Sequence, residues 1–400
     1  SDHLVAGLLD RLAIQPGQRV PDPFCGTGTT LIECRKRSIS SAGIEANPSS
    51  IFAARVKTRW ELDPGMLLVA LDEVESLWRH SMRRSPRLAD DPTYRYIEGT
   101  GMLARGWISP LPLSRAIRLK QAIVALPLPQ RYRDFFMLGL IAEVVAGASN
   151  VKFGPELYIG PKKDDHDVFA GFRTRVLSMI TDISIVADAA DCDARVFEGD
   201  ARDMAAALAQ DKGPPFDAVI SSPPYPAEHD YTRNSRLELA FLEDVTSLAS
   251  LRMYKKRMIR SHTKGVYVAD RDAAQVARYG RIQQIAGAID RRVRGNTDGF
   301  ARLYSTVVRQ YFGGMKRHLK TLMPQLRTGA QLAYVVGDQS SYASVHIPTA
   351  EILADIATRL GYRVGGIEEW RARKSSTTQR HIGEHILMLT KPVIRGKKRG

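Results

Sequence analysis

At 221–241 the chain reads SSPPYPAEHDYTRNSRLELAF, directly after the apolar run FDAVI at 216–220. Pro223 and Pro224 cannot donate to a sheet ladder, and proline locks φ near about −65°, so they build a rigid corner whose carbonyls need no reorganisation. Ser222 adds a hydroxyl to that corner and Tyr225 a flat aromatic face. Such a corner suits either a plain structural turn or a preorganised pocket for a flat ligand. Asp230, Tyr231 and Arg233 lie just beyond it, placed to touch a ligand or its phosphate, or to serve only as helix caps and surface pairs.

A second constellation, DPFCGTGTT at 22–30, sets Gly26 and Gly28 between a strand and a helix. There the backbone can approach a ligand closely and the helix N-terminus points at it. No lysine follows Gly28, so this is not the phosphate loop of a nucleoside-triphosphate site. Asp22, Phe24, Cys25, Thr29 and Thr30 complete the turn. Glu45, followed by Ala46 in GIEANP at 43–48, falls where an acid grips ribose hydroxyls in nucleoside-binding folds. In EGDARDM at 198–204, Asp200 is placed to accept from an adenine amine with Ala201 lining the ring. Asp203 competes for that role, and either aspartate would also cap the following helix.

To converge, these groups must end successive strands on one edge of a sheet. Helical apolar spacing at 5–16 leads into a strand before the glycine turn, and SAGIEANP at 41–48 forms the next strand before another helix. That is the β-α-β opening of a doubly wound α/β sheet. Strand rhythm returns at 194–204, 216–225 and 330–338, and YRVGGIEEWR with EHILMLTK alternates like an antiparallel hairpin. The expected organisation is a core from 1–61, 191–225 and 328–400, a helical insertion at 62–190, and a basic helical insertion at 226–327. Within the first insertion GASNVKFG at 147–154 is a polar end to an apolar helix, read as a cap or an approach to the active site.

With 400 residues and 44% hydrophobic content the chain can bury a large core. The net charge of +15 favours a polyanionic partner. Basic stretches at 252–265, including Lys255, Lys256 and Arg257, at 290–295, at 309–320 and in the tail at 394–400 gather in the second half and point to a nucleic-acid surface. Three cysteines, Cys25, Cys34 and Cys192, form no CxxC pair, so neither a disulfide framework nor a metal site is expected. No apolar run is long enough to span a membrane, and a cytoplasmic location is expected.

DPFCGTGTT, GIEANP, GDARD, SPPY and the closing EHILMLTK together resemble the amino-group DNA methyltransferases that use S-adenosyl-L-methionine, and SPPY is most similar to their cytosine-N4 type. The resemblance implies a Rossmann-like class I methyltransferase sheet, with the glycine turn, Glu45, Ala46, Asp200 and Ala201 on the cofactor. It further implies that Ser222 and the Pro223 carbonyl hold the amine of a base flipped from duplex DNA, with Tyr225 stacked on it. A cognate restriction or defence partner belongs to the same expectation. Adenine N6 is the near alternative target, followed by an RNA base amine and by a non-catalytic nucleic-acid-binding protein. Cytosine-C5 chemistry needs a cysteine nucleophile in a Pro-Cys context, which none of the three cysteines has.

Overall fold

Continuous apolar runs decide this architecture, because the central strands are covered on both faces. The computed structural model describes residues 2–83, 88–154, 157–186, 192–227, 230–296, 299–374 and 381–393; the basic tail at 394–400 lies outside the described residues. Nine strands occur among them: β1 (Arg19–Asp22), β2 (Ser40–Glu45), β3 (Val151–Phe153), β4 (Leu157–Ile159), β5 (Ala194–Glu198), β6 (Phe216–Ser221), β7 (Leu326–Gly337), β8 (Arg363–Lys374) and β9 (His381–Thr390). β1, β2 and β5 pair in parallel, and so do β6 and β7. β9 runs antiparallel between β7 and β8. β1 lies alongside β6, and the Arg19 N–H donates to Asp217 Oδ2 at 2.8 Å. The strand sequence is therefore β5-β2-β1-β6-β7-β9-β8, a doubly wound sheet closed by an antiparallel hairpin, as the sequence implied.

The chain divides into two compact units. The first comprises 1–47, 190–230 and 254–400; the second comprises 48–189 and 231–253. In the first, Ala218 and Ile220 of β6 with Ala333 and Val335 of β7 point to one face, covered by Val5, Leu8 and Leu9 from the opening helix Asp2–Arg11 and by Leu12 just after it. Val219, Leu332, Tyr334 and Val336 point to the other, where Tyr311, Phe312, Met315 and Leu319 meet them. Each fully buried aliphatic or aromatic side chain is worth roughly 1.5–3 kcal/mol.

Residues 254–327, expected to stand with 226–253 in one basic insertion, belong instead to the sheet-bearing unit. The helix Tyr304–Leu322 explains the difference. One stripe of it, from Val307 and Val308 to Leu322, is wholly buried. Its Arg309, Lys316 and Arg317 occupy the other side and are only half exposed. Read as charge, the segment looked like a surface; read as period, it is a core helix. A Cβ on Gly313 would run into the Asp272 carbonyl, so the backbone itself makes this packing.

The second unit is helical. Its long helices are Pro64–Met82, Pro110–Val124, Gln130–Glu143 and Val168–Val186, and β3 and β4 form a separate antiparallel ribbon. Among the described residues no helix is long and apolar enough to cross a membrane.

Candidate active site

β1 ends at Asp22, buried at the root of the glycine turn. Its Oδ1 accepts from the Phe24 N–H at 3.1 Å and the Ser221 hydroxyl at 2.5 Å, and its Oδ2 accepts from the Thr30 hydroxyl at 2.7 Å. One carboxylate thus ties the ends of β1 and β6 to the helix Thr29–Arg35. Burial raises its pKa, which the three donors oppose. Gly26 and Gly28 sit at φ of +50° and +91°, a region that excludes most side chains. Cys25 packs on β2, where a Cβ on Gly43 would lie 2.7 Å from its sulfur.

Glu45, at the carboxyl end of β2, is half-buried and faces the same turn. Its Oε1 accepts from the Ala46 and Asn47 N–H groups, both at 2.8 Å, and its Oε2 from the Gly26 N–H at 3.0 Å. A carboxylate has about four acceptor positions, so three donors leave room for a ligand hydroxyl on Oε2. Burial again raises the pKa, against the pull of those donors.

β5 delivers Asp200 and Ala201 to the same edge. Both oxygens of Asp200 take a fork from Arg202, with Nη2 at 2.7 Å, while Asp203 caps the next helix through the Ala206 N–H at 3.2 Å. Arg202 is the hub of a buried network: it donates to Asp272 at 2.6 Å and to the Lys256 carbonyl at 2.6 Å. Burial works against its charge, but Asp200 and Asp272 outweigh that and raise its pKa.

The sequence reading missed His318. It is fully buried, with Nδ1 2.8 Å from the Ala201 carbonyl and Nε2 2.6 Å from the Tyr334 hydroxyl. A carbonyl only accepts, so Nδ1 carries the proton and Nε2 accepts from Tyr334. Burial lowers its pKa to about 4, in keeping with a neutral ring. Phe24 meets that ring edge-on at 4.8 Å. The available signal was periodicity, since His318 shares the stripe of Tyr311, Met315 and Leu322.

β6 then runs into the proline corner. Ser221 is buried on Asp22, whereas Ser222 is exposed and donates to the Val335 carbonyl at 3.2 Å. Having given its hydrogen inward, the Ser222 oxygen keeps lone pairs for an outside donor. Pro223 is buried, and Pro224 and Tyr225 are half-buried. Tyr225 lies on the end of β7, where a Cβ on Gly337 would be 2.9 Å from the ring. The cofactor-type turn and the corner are thus joined through one bond, Ser221 to Asp22.

The residues expected to meet nucleic acid separate. Lys255 is buried and pairs with Asp230 at 2.7 Å, beside His262, whose pKa burial lowers to about 4. Arg257 pairs with Glu198 of β5, and Lys256 remains exposed. Tyr231 and Arg233 stand on the short helix Tyr231–Asn234, in the second compact unit. No group of three His, Cys, Asp or Glu side chains suited to a metal ion occurs among the described residues.

Residues 1–84 match the methyltransferase family described as "RMKL-like, methyltransferase domain" (UPF0020). The chain is 27% identical over 183 residues to the Type II methyltransferase M.AvaI of Nostoc sp., covering 42% of this chain and 35% of that protein. It is 22% identical over 407 residues to the Type II methyltransferase M.BsoBI of Geobacillus stearothermophilus, covering 95% of this chain and 80% of that one. It spans about a third of the M.AvaI relatives. Among solved structures it is similar to TrmN from Thermus thermophilus, with a TM-score of 0.33 at 10% identity over 98% of this chain and 48% of that one. It is also similar to the rRNA methyltransferase aviRa from Streptomyces viridochromogenes, with a TM-score of 0.30 at 12% identity over 98% and 85% of the two chains. The resemblance to methyltransferases carried by the motifs is therefore met by independent matches, and the strand order is that of the class I methyltransferase sheet.

Proposed function

We propose that this chain transfers a methyl group from S-adenosyl-L-methionine to the exocyclic N4 amine of a cytosine turned out of duplex DNA. The observation that carries the reading is the corner after β6: an exposed Ser222 oxygen with its hydrogen committed to Val335, next to a tyrosine ring seated on Gly337. Similarity to Type II methyltransferases supports DNA as the substrate.

The residues present fit the cofactor. Gly26 and Gly28 open the turn, Glu45 retains an acceptor position on Oε2 for a ribose hydroxyl, and Phe24 braces the turn edge-on against His318. Asp200, its side chain still 26% exposed, and Ala201 would bound the adenine end. When bound, the cofactor supplies an electrophilic methyl group.

The chain's own contribution is to make a poor nucleophile reactive. The lone pair of a base amine is delocalised into the ring, so the nitrogen must be held as it turns tetrahedral. The Ser222 oxygen and the Pro223 carbonyl accept the two amine hydrogens and localise the lone pair, and the prolines keep that carbonyl in place. Tyr225 supplies the stacking face for a base outside the duplex, offsetting part of the few kcal/mol that unstacking costs. No covalent enzyme intermediate is required.

Incubation with labelled cofactor and either duplex DNA or total RNA, followed by nucleoside mass spectrometry, tests this. N4-methylcytosine in DNA is the expected product. N6-methyladenine would move the target to adenine, and label confined to RNA would overturn the substrate assignment.

A further inference from the structure

GASNVKFG is not absorbed by the methyl-transfer site, yet it opens a distinctive element of the second unit. We propose that the β3–β4 ribbon is the chain's DNA-reading element, laying the face that carries Lys152 and Tyr158 into a groove of the duplex, with Tyr158 against base edges and Lys152 on a phosphate. This rests on duplex DNA being the substrate.

The root of the ribbon is rigid. Asn150 is 1% exposed, and its N–H donates to the Trp107 carbonyl at 2.8 Å while its carbonyl accepts from Gly160 at 2.7 Å. Its side-chain amide donates to the Gly106 carbonyl at 3.0 Å and to Ser109 Oγ at 3.2 Å, and Oδ1 accepts from the Lys163 N–H at 2.9 Å. Ser149, just before it, donates to the Val145 carbonyl at 2.7 Å. One buried asparagine thus clamps both strands to the preceding loop, and Val151 anchors the first strand in the core.

Beyond this clamp the apolar pattern inverts. Phe153, Tyr158 and Ile159 are 51%, 56% and 40% exposed. Lys152 is exposed and stands directly across from Tyr158 in the pairing register, so the two share one face of the ribbon while Phe153, across from Leu157, lies on the other. Lys162 is exposed too, and Lys163 has its pKa lowered by burial and by the nearby Lys152 charge. The adjoining acids are Asp164 and Asp165, the latter paired with Arg115 at 2.8 Å. An exposed aromatic ring paired with a lysine on one face, beside further lysines, complements a polyanion with stacked flat rings. A two-stranded ribbon also has the width a major groove admits. Rigid anchoring lowers the ordering cost of presenting these side chains.

The test compares wild type, Tyr158→Ala and Lys152→Ala in four measurements: duplex affinity against salt, methylated positions on a plasmid, cofactor affinity and thermal midpoint. Tyr158→Ala is expected to lose about tenfold or more in duplex affinity and to methylate with relaxed sequence preference. Lys152→Ala should lower the log–log salt slope by about 0.9. Cofactor affinity and thermal midpoint should stay at wild-type values, because these side chains are exposed. Wild-type affinity and an unchanged methylation map in both variants would overturn the proposal. So would a defect seen only as loss of self-association in sedimentation, or only in binding single-stranded RNA. A wild-type protein that neither binds duplex DNA nor methylates it removes the substrate reading itself, and the ribbon proposal with it.

Discussion

Lys255 and Lys152 look alike in the sequence, each a lysine directly beside an aromatic residue, but the two regions use them in opposite ways. Lys255 is buried on Asp230, within a cluster where Arg202, Arg260 and Arg317 meet Asp270 and Asp272. Lys152 points to solvent beside Tyr158, on a ribbon whose apolar side chains are also exposed. Much of the basic excess of residues 252–320 therefore neutralises acids of the same unit, whereas the ribbon's lysines are set against one another. A positive stretch marks a polyanion surface only where its counter-charges are elsewhere.

Removing the hub of the internal cluster breaks that contrast most severely. Arg202→Met leaves Asp272, which is fully buried, with only the half-exposed Arg317, and takes the fork off Asp200, and a loss of about 3 kcal/mol in urea unfolding is expected. A loss below 1 kcal/mol would place the network among ordinary surface pairs.

The buried histidine of the same unit gives the next effect. The pKa of His318 is lowered from 6.5 to about 4, so the folded state favours its neutral form. That contribution is complete above the unfolded pKa and is lost as pH falls from 6.5 toward about 4. It amounts to something on the order of 3 kcal/mol. His318→Gln should flatten the stability slope across this window; an unchanged slope contradicts the neutral, doubly bonded ring.

Gly337→Ala sharpens the comparison at the corner itself, since the added methyl would stand 2.9 Å from the Tyr225 ring. Single-turnover methylation should slow on the order of tenfold with cofactor affinity intact; equal rates would detach Tyr225 from the reaction. The smallest effect is electrostatic. Lys256→Ala should reduce the salt slope of DNA binding by at most about 0.9, while Lys255→Ala should leave that slope alone and lower stability. The reverse result would exchange the roles of the two lysines.

Strand ends, the glycine turn and the proline corner were legible in the sequence because each is local: two positive-φ glycines, two prolines and one alternating run. Glu45 was legible as an acid on the turn, but its three backbone donors were not, since they depend on how residues 26, 46 and 47 curl around it. Asp200 was read as a ligand contact, and only the fold reveals that Arg202 forks onto it. His318 and the helix around it were hidden by their charged neighbours, although the 3.6-residue spacing of Tyr311, Met315 and Leu322 was present. In GASNVKFG the asparagine was read as a cap or an approach to the site; its role as a clamp depends on Trp107 and Gly160, far away in the chain.

Amine activation at the corner after β6 depends on one oxygen, that of Ser222. Ser222→Ala deletes the acceptor while leaving both prolines, Tyr225 and the Ser221–Asp22 bond in place. Under saturating duplex DNA and S-adenosyl-L-methionine, single-turnover methyl transfer should fall on the order of a hundredfold, with cofactor affinity unchanged. Transfer at the wild-type rate would mean that the corner after β6 is only a turn.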